Sequence, residues 1–320
     1  MQELKNLRWV PSWVSQLGCL KGCLDYLGIE MSTAWLFGGT GHAFILNIGE
    51  DACPSGPTAW KSAILSELGR NLGYQTGGVF GIKYDQDLDA LQRRAWAYVR
   101  DAIDEGLPCY GWELEIPEFY VIFGYDDEGY YYSGTECDEG RGPKAWSELG
   151  DTGIGIVELY SVKPGPVGDD RTIVREALSF AVEHAKGPSK YIFPDYKAGP
   201  EGYDLWIKGV KAGKSMRMGM AYNAAVWATC RRHGVAFLRE ARSRTGAGME
   251  PLFDQAIAHY QEVYGRLKSL AELYPFAENR SEAPIGVDAK SEQAAGLLDQ
   301  AREAEVSGLE LLDRIVRNLE

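Results

Sequence analysis

Histidine is scarce in this chain, with only His42, His184, His233 and His259 among 320 residues. A reaction that needs an imidazole base therefore has few candidates to draw on. The six cysteines never form a C-x-x-C pair, so the common zinc and redox signatures are missing and no metal site or cofactor is expected. They are also too sparse for a disulfide framework, which points to a reducing compartment. No apolar run approaches the ~20 residues that span a bilayer. The opening "MQELKNLRWVPSW" lacks the basic-then-apolar order of a signal peptide, so a cytoplasmic protein with no membrane association is expected. "FGGTGH" lacks the Lys-Ser/Thr ending of a phosphate loop and does not match G-x-G-x-x-G; its glycines are expected to permit a tight turn. A basic stripe is missing too. Residues 1–165 hold 12 Lys and Arg against 24 Asp and Glu, and the remainder is nearly balanced, so nucleic acid is excluded as a partner. The acidic half suits solubility or a cleft that attracts a cationic ligand.

What is present divides into two grammars. In the first half, Leu17, Leu20, Leu24 and Leu27 recur at helical spacing in "SQLGCLKGCLDYLG", with Ser15 as the expected N-cap and Gly28 as the stop. His42–Ile48 ("HAFILNI") reads as a short buried strand, and "PTAWKSAILSELGRNLG" as a helix with Pro57 near its start and Gly73 following its end. "DQDLDALQRRAWAYVRDAIDEG" reads as an amphipathic helix with acids in its first turn and Gly106 past its end. "LPCYGWEL", "FYVIFGYDDEGYYYSG" and "GIGIVELYSV" then read as strands, the second as a hairpin turning at "YDDEGY". Helices followed by an antiparallel sheet make this half α+β, over residues 1–162. "KPGPVGDD" (163–170) reads as a linker, and residues 171–320 as a four- or five-helix bundle. In that bundle the stripe Trp227, Cys230, Phe237 and Leu238, with Tyr203 and Trp206, is expected to pack against the first domain or a second copy, so a homodimer is one arrangement this pattern allows.

The helix at Ser15, "MSTAWLFGGTGHAF" and "FYVIFGYDDEGYYYSG", in that order over roughly residues 10–162, resemble the N-terminal domain of the butirosin biosynthesis protein H family, which is similar to papain-like cysteine peptidases. "YDLWIKG" and "AYNAAVWATCRRHGVAFLREA" resemble the helical C-terminal domain of such proteins. The resemblance implies a papain-like fold, a place in secondary metabolism and a Cys-His-Asp triad. Counting back from Gly28 through "CLDYLG", the family's nucleophile position falls on Ser15. Its base position, just before "YVIFGYD", falls on Glu118, and its third position falls around Ser133–Thr135. None of the three carries the family's usual residue.

Two readings of function follow. In the first, a papain-like cleft without its triad binds a small-molecule or peptide ligand, an amine, amide or peptide. Strand alternation would put Trp112, Leu114 and Ile116 on one face and Glu113 and Glu115 on the other. Trp35, Trp112 and Tyr132 would then line an aromatic wall, with Ser15, Glu113 and a part-buried Glu118 as polar contacts, a set suited to a cation. In the second, the protein is a thiol-dependent acyltransferase or amide hydrolase using Cys19 with His42, or a reaction assisted by Glu118. A small buried hydrophobe is the alternative reading of both Cys19 and Cys23.

Overall fold

The computed structural model describes residues 1–246 and 248–319, and the chain folds as two compact units. The first unit comprises Met1–Ser32 and Gly73–Val167; the second comprises Thr33–Leu72 and Gly168–Glu320. The division read from composition, at 163–170, is close to where the second unit resumes, but residues 33–72 belong with the helices rather than with the sheet. The reason is packing. Trp35, Phe37 and Phe44 are buried, and Trp35 and Phe44 lie on Phe237 with ring centroids 5.1 and 6.0 Å away.

The first unit contains β1 (Gln2–Glu3), α1 (Ser15–Tyr26), β3 (Leu72–Ile82, whose first residue belongs to the second unit), α4 (Leu88–Asp104), β4 (Cys109–Trp112), β5 (Phe119–Tyr125), β6 (Gly129–Gly134), β7 (Cys137–Ala145) and β8 (Ile156–Val167). Among the described residues these strands form a seven-stranded sheet, ordered β3-β8-β4-β5-β6-β7, with β1 added beside β5. The pairings β4–β5, β5–β6, β6–β7 and β4–β8 are antiparallel. The β5–β6 hairpin turns where expected. Asp126 Oδ1 accepts the N–H groups of Glu128 (2.9 Å) and Gly129 (3.2 Å), the local bonding that makes Asp a turn residue. Helix α4 is also as expected, with Asp87 capping the N–H of Asp89 at 3.1 Å and Gly106 left-handed beyond its end.

Other readings are corrected. "KPGPVGDD" is strand as far as Val167 rather than linker. The Val162 N–H donates to Pro108 on the β4 side, so Pro164 and Pro166, two and four residues on, turn their donor-less nitrogens to the same side, where the β4 pairing has ended. His42–Ile48 begins as a 3-10 turn over His42–Phe44, and the strand is only β2 (Asn47–Gly49). The helix expected from near Pro57 to just before Gly73 shrinks to α3 (Ile64–Gly69), and β3 starts at Leu72. Trp60 is held instead in an isolated bridge to Ile192.

The second unit contains α2 (Thr33–Gly39), β2, α3, α5 (Asp170–His184), β9 (Tyr196–Ala198, antiparallel to β2), α6 (Gly199–Lys211), α7 (Arg217–Arg244), α8 (Glu250–Leu273) and α9 (Ala289–Leu319). Helices α7, α8 and α9 pack in succession, and α2 lies on α7. The stripe of Trp227, Cys230, Phe237 and Leu238 is fully buried inside this unit, as are Tyr203 and Trp206. Trp206 Nε1 donates to Met220 Sδ at 2.9 Å. At the unit's centre Arg231 and Glu305 form a buried ion pair at 2.8 Å, and the other Arg231 bonds go to the carbonyls of Ala43 (2.9 Å) and Ile45 (2.8 Å). Among the described residues no helix is long and apolar enough to cross a membrane.

Candidate functional site

The N-terminal segment sets the position of α1. Gly18 and Gly22 leave a groove along the helix in which the chain at Arg8–Val10 lies. A Cβ at Gly22 would collide with the Arg8 carbonyl, and one at Gly18 with that of Val10. Val10 N–H donates to the Gly18 carbonyl at 3.1 Å, and Leu4 N–H to Phe123 at 2.7 Å, which ties the segment to helix and sheet together. Val14, not Ser15, is the N-cap. Ser15 is the first helical residue, and its side chain is therefore not consumed by its own helix.

That hydroxyl instead reaches β5. Ser15 Oγ donates to Glu118 Oε2 and accepts the N–H of Phe119 at 3.0 Å. Ser15 is buried and Glu118 half-buried. The position is fixed by the loop between β4 and β5, where the Glu113 N–H donates to the Glu118 carbonyl at 2.8 Å. This same loop breaks the expected alternation. Strand β4 ends at Trp112, and Glu113 takes a left-handed φ of 57°, so Glu113 and Leu114 are both buried and Glu115 turns outward.

The three glutamates thus have separate partners. Glu113 accepts from Thr152 at 2.9 Å; burial pushes its carboxyl up, against the opposing pull of that bond and of Lys144 and Lys83. Glu115 accepts from Tyr132 Oη at 2.5 Å and pairs with Arg141 at 2.5 Å, and burial followed by this carboxylate raises the Tyr132 phenol. Glu118 holds Ser15. Trp112 is buried against Phe119 (5.1 Å between centroids), and Ser133 carries a buried hydroxyl. Trp35 belongs to the second unit, where the Arg244 guanidinium lies 4.0 Å from its ring centroid.

Cys19 lies one turn into α1 and is fully buried. Burial, then the Glu118 carboxylate, then Cys137 push its thiol well above the ordinary range. Cys23, whose Sγ lies 4.0 Å from the Cys109 carbonyl, is raised by burial in the same way. All four histidines of the sequence fall in the second unit, so neither thiol shares its unit with an imidazole. His42 has neighbours of its own there: its Nδ1 lies 3.6 Å from Cys230 Sγ, and its ring packs edge-on to Trp60 at 5.9 Å. Burial pulls it down to about 4, with Arg231 adding to the effect. His184, whose ring centroid lies 5.5 Å from that of Trp60, is pulled down to about 3 by burial, His42 and Arg231.

No local pattern in the sequence ties Ser15 to Glu118. Thr152 and Arg141 carried no local signal, because they arrive from the loop before β8 and from β7 respectively. Among the described residues no group of three or more His, Cys, Asp or Glu is placed to hold a metal ion. No family model and no curated protein matches the chain.

Proposed function

We propose that the first unit is a ligand-binding module on a papain-like frame, in which the Ser15–Glu118 pair receives an N–H group of an amine, amide or peptide ligand. The observation that carries this reading is the hydrogen bond from Ser15 Oγ to Glu118 Oε2, which joins the two positions that the resemblance assigns to nucleophile and base. In a peptidase of that kind those positions hold a thiol and an imidazole. Here they hold a hydroxyl and a carboxylate. A carboxylate accepts hydrogen bonds and attracts a cation, but it shuttles protons near neutral pH only when its pKa lies far above the usual range. The acidic balance of residues 1–165 favours a positively charged ligand over a negative one at this position. The competing reading, acyl transfer or amide hydrolysis by Cys19 with His42, needs a thiolate that burial and the Glu118 charge oppose.

The test is binding of a panel of primary amines and short amides by calorimetry, with Glu118→Gln as the diagnostic variant. Loss of about tenfold in affinity for the amines, about 1.4 kcal/mol, is the expected result. Equal affinity in wild type and Glu118→Gln overturns the proposal. Rapid alkylation of Cys19 by iodoacetamide in the native protein would favour the thiol reading instead.

A further inference from the structure

A different part of the first unit carries opposite charge. Between the N-terminal segment and α1 lies an open cleft of about 520 Å³, with Lys5, Arg8, Trp9 and Tyr26 on its walls. Its volume is in the range of small-ligand sites, roughly 300–1,000 Å³. The walls are held by buried anchors. Leu4 and Leu7 are buried, Leu7 N–H closes a turn on the Leu4 carbonyl at 3.3 Å, and Asn6 between them takes a left-handed φ of 71°. That turn leaves Lys5, Asn6 and Arg8 exposed on the cleft side of the segment. Gly22 forms part of the lining, and the absence of a side chain there is what lets Arg8 approach the helix.

The charge is unusual for its surroundings. Arg8 Nη1 donates to the Leu7 carbonyl at 3.0 Å, which orients the guanidinium and leaves its remaining N–H groups for other acceptors. Among the described residues neither Lys5 nor Arg8 is paired with a carboxylate, in a half of the chain where acids outnumber bases two to one. The one acid on the lining, Asp25, is paired with Lys21 a turn earlier on α1. Trp9 is fixed by its Nε1 bond to Asp138 at 2.9 Å, so its ring is held rather than free to rotate.

We propose that this cleft binds an anion carried on a planar ring, an aromatic phosphate or carboxylate. Lys5 and Arg8 take the anionic group, Arg8 through the fork of N–H donors that suits such oxygens, and Trp9 and Tyr26 lie against the ring. The site is separate from the Ser15–Glu118 pair and stands or falls independently of it.

The experiment is isothermal titration of the full chain with phenyl phosphate, benzoate and inorganic phosphate. At least one aromatic anion is expected to bind, more tightly than inorganic phosphate and more weakly as salt rises. Arg8→Ala and Lys5→Ala should each weaken it about tenfold. Trp9→Leu should weaken the aromatic probe and leave inorganic phosphate unchanged. Glu118→Gln should leave all three unchanged, which separates this site from the one above. Lys5 and Arg8 are exposed, so their variants are expected to keep the wild-type circular dichroism spectrum. No binding of either aromatic anion up to roughly 10 mM overturns the proposal, as does an affinity that Arg8→Ala does not change.

Discussion

Ser15 Oγ stands between the Glu118 carboxylate, to which it donates, and the Phe119 N–H, from which it accepts at 3.0 Å. One hydroxyl therefore ties the start of α1 to the start of β5. Ser15→Ala strands the Phe119 N–H in a buried position and removes a donor from Glu118. The expected cost is about 1–3 kcal/mol in urea unfolding, with little change in m-value. Ser15→Thr, which keeps the hydroxyl, should recover part of it.

The same pair allows a test of the family spacing. Ser15→Cys alone places a thiol beside a carboxylate, which opposes thiolate formation. Ser15→Cys combined with Glu118→His supplies both residue types of the papain-like pattern. Iodoacetamide labelling at position 15, read by mass spectrometry, should be at least about tenfold faster in the double variant than in the single one. Equal rates would show that the two positions are not juxtaposed as nucleophile and base require.

The native thiols should be largely silent. Cys19, Cys23, Cys109 and Cys230 are fully buried and burial raises each of them, Cys230 to about 12. Cys53 is the least buried of the six and should alkylate first. The other labels should appear only when urea unfolds the chain.

Acid should destabilise the helical unit through His42 and His184. Their folded pKa values, about 4 and about 3, lie below the unfolded value of 6.5. The unfolded chain therefore takes up protons first. The stability that rests on neutral imidazoles is complete above about pH 6.5 and is lost as the pH falls from there toward 4. Between pH 7 and 5 the loss should be about 3–4 kcal/mol for the pair, seen as a falling urea midpoint. His184→Phe should flatten that slope, and an unchanged slope would show that the imidazole is not held neutral by burial.

The buried Arg231–Glu305 pair should respond unequally to single and double replacement. Glu305→Leu leaves the guanidinium buried without its carboxylate and should cost about 3–5 kcal/mol. Arg231→Met with Glu305→Leu should recover much of this, despite the loss of the Ala43 and Ile45 carbonyl bonds. Thermal melts of the three proteins separate the cases.

The long helices were legible because their apolar period repeats over several turns; α7, α8 and α9 need no distant partner to reveal themselves. Strands β3 and β7 were not. "LGYQTGGVFGI" is diluted by glycine, and "CDEGRGPKA" has almost no apolar residue to alternate, so each becomes a strand by pairing with a neighbour remote from its local pattern. The glutamates show the same limit at the site. Period-2 reasoning placed Glu113 beside Glu115, and one left-handed residue separated them. The role of Ser15 was misread as a cap, because a cap and a long-range partner make the same local sequence.

The interleaving of the two units has a consequence in time. Residues 33–72 leave the ribosome well before α7, on which α2 packs, has been made. At synthesis rates of about 5–20 residues per second, the wait from residue 72 to residue 244 is roughly 10–30 s. For that interval Trp35, Phe37 and Phe44 lack their ring partners on α7, Phe237 and His233, while the sheet between is being completed. The nascent chain therefore carries an exposed aromatic segment in its middle, and its productive folding depends on that segment staying unengaged until the last third of the protein appears.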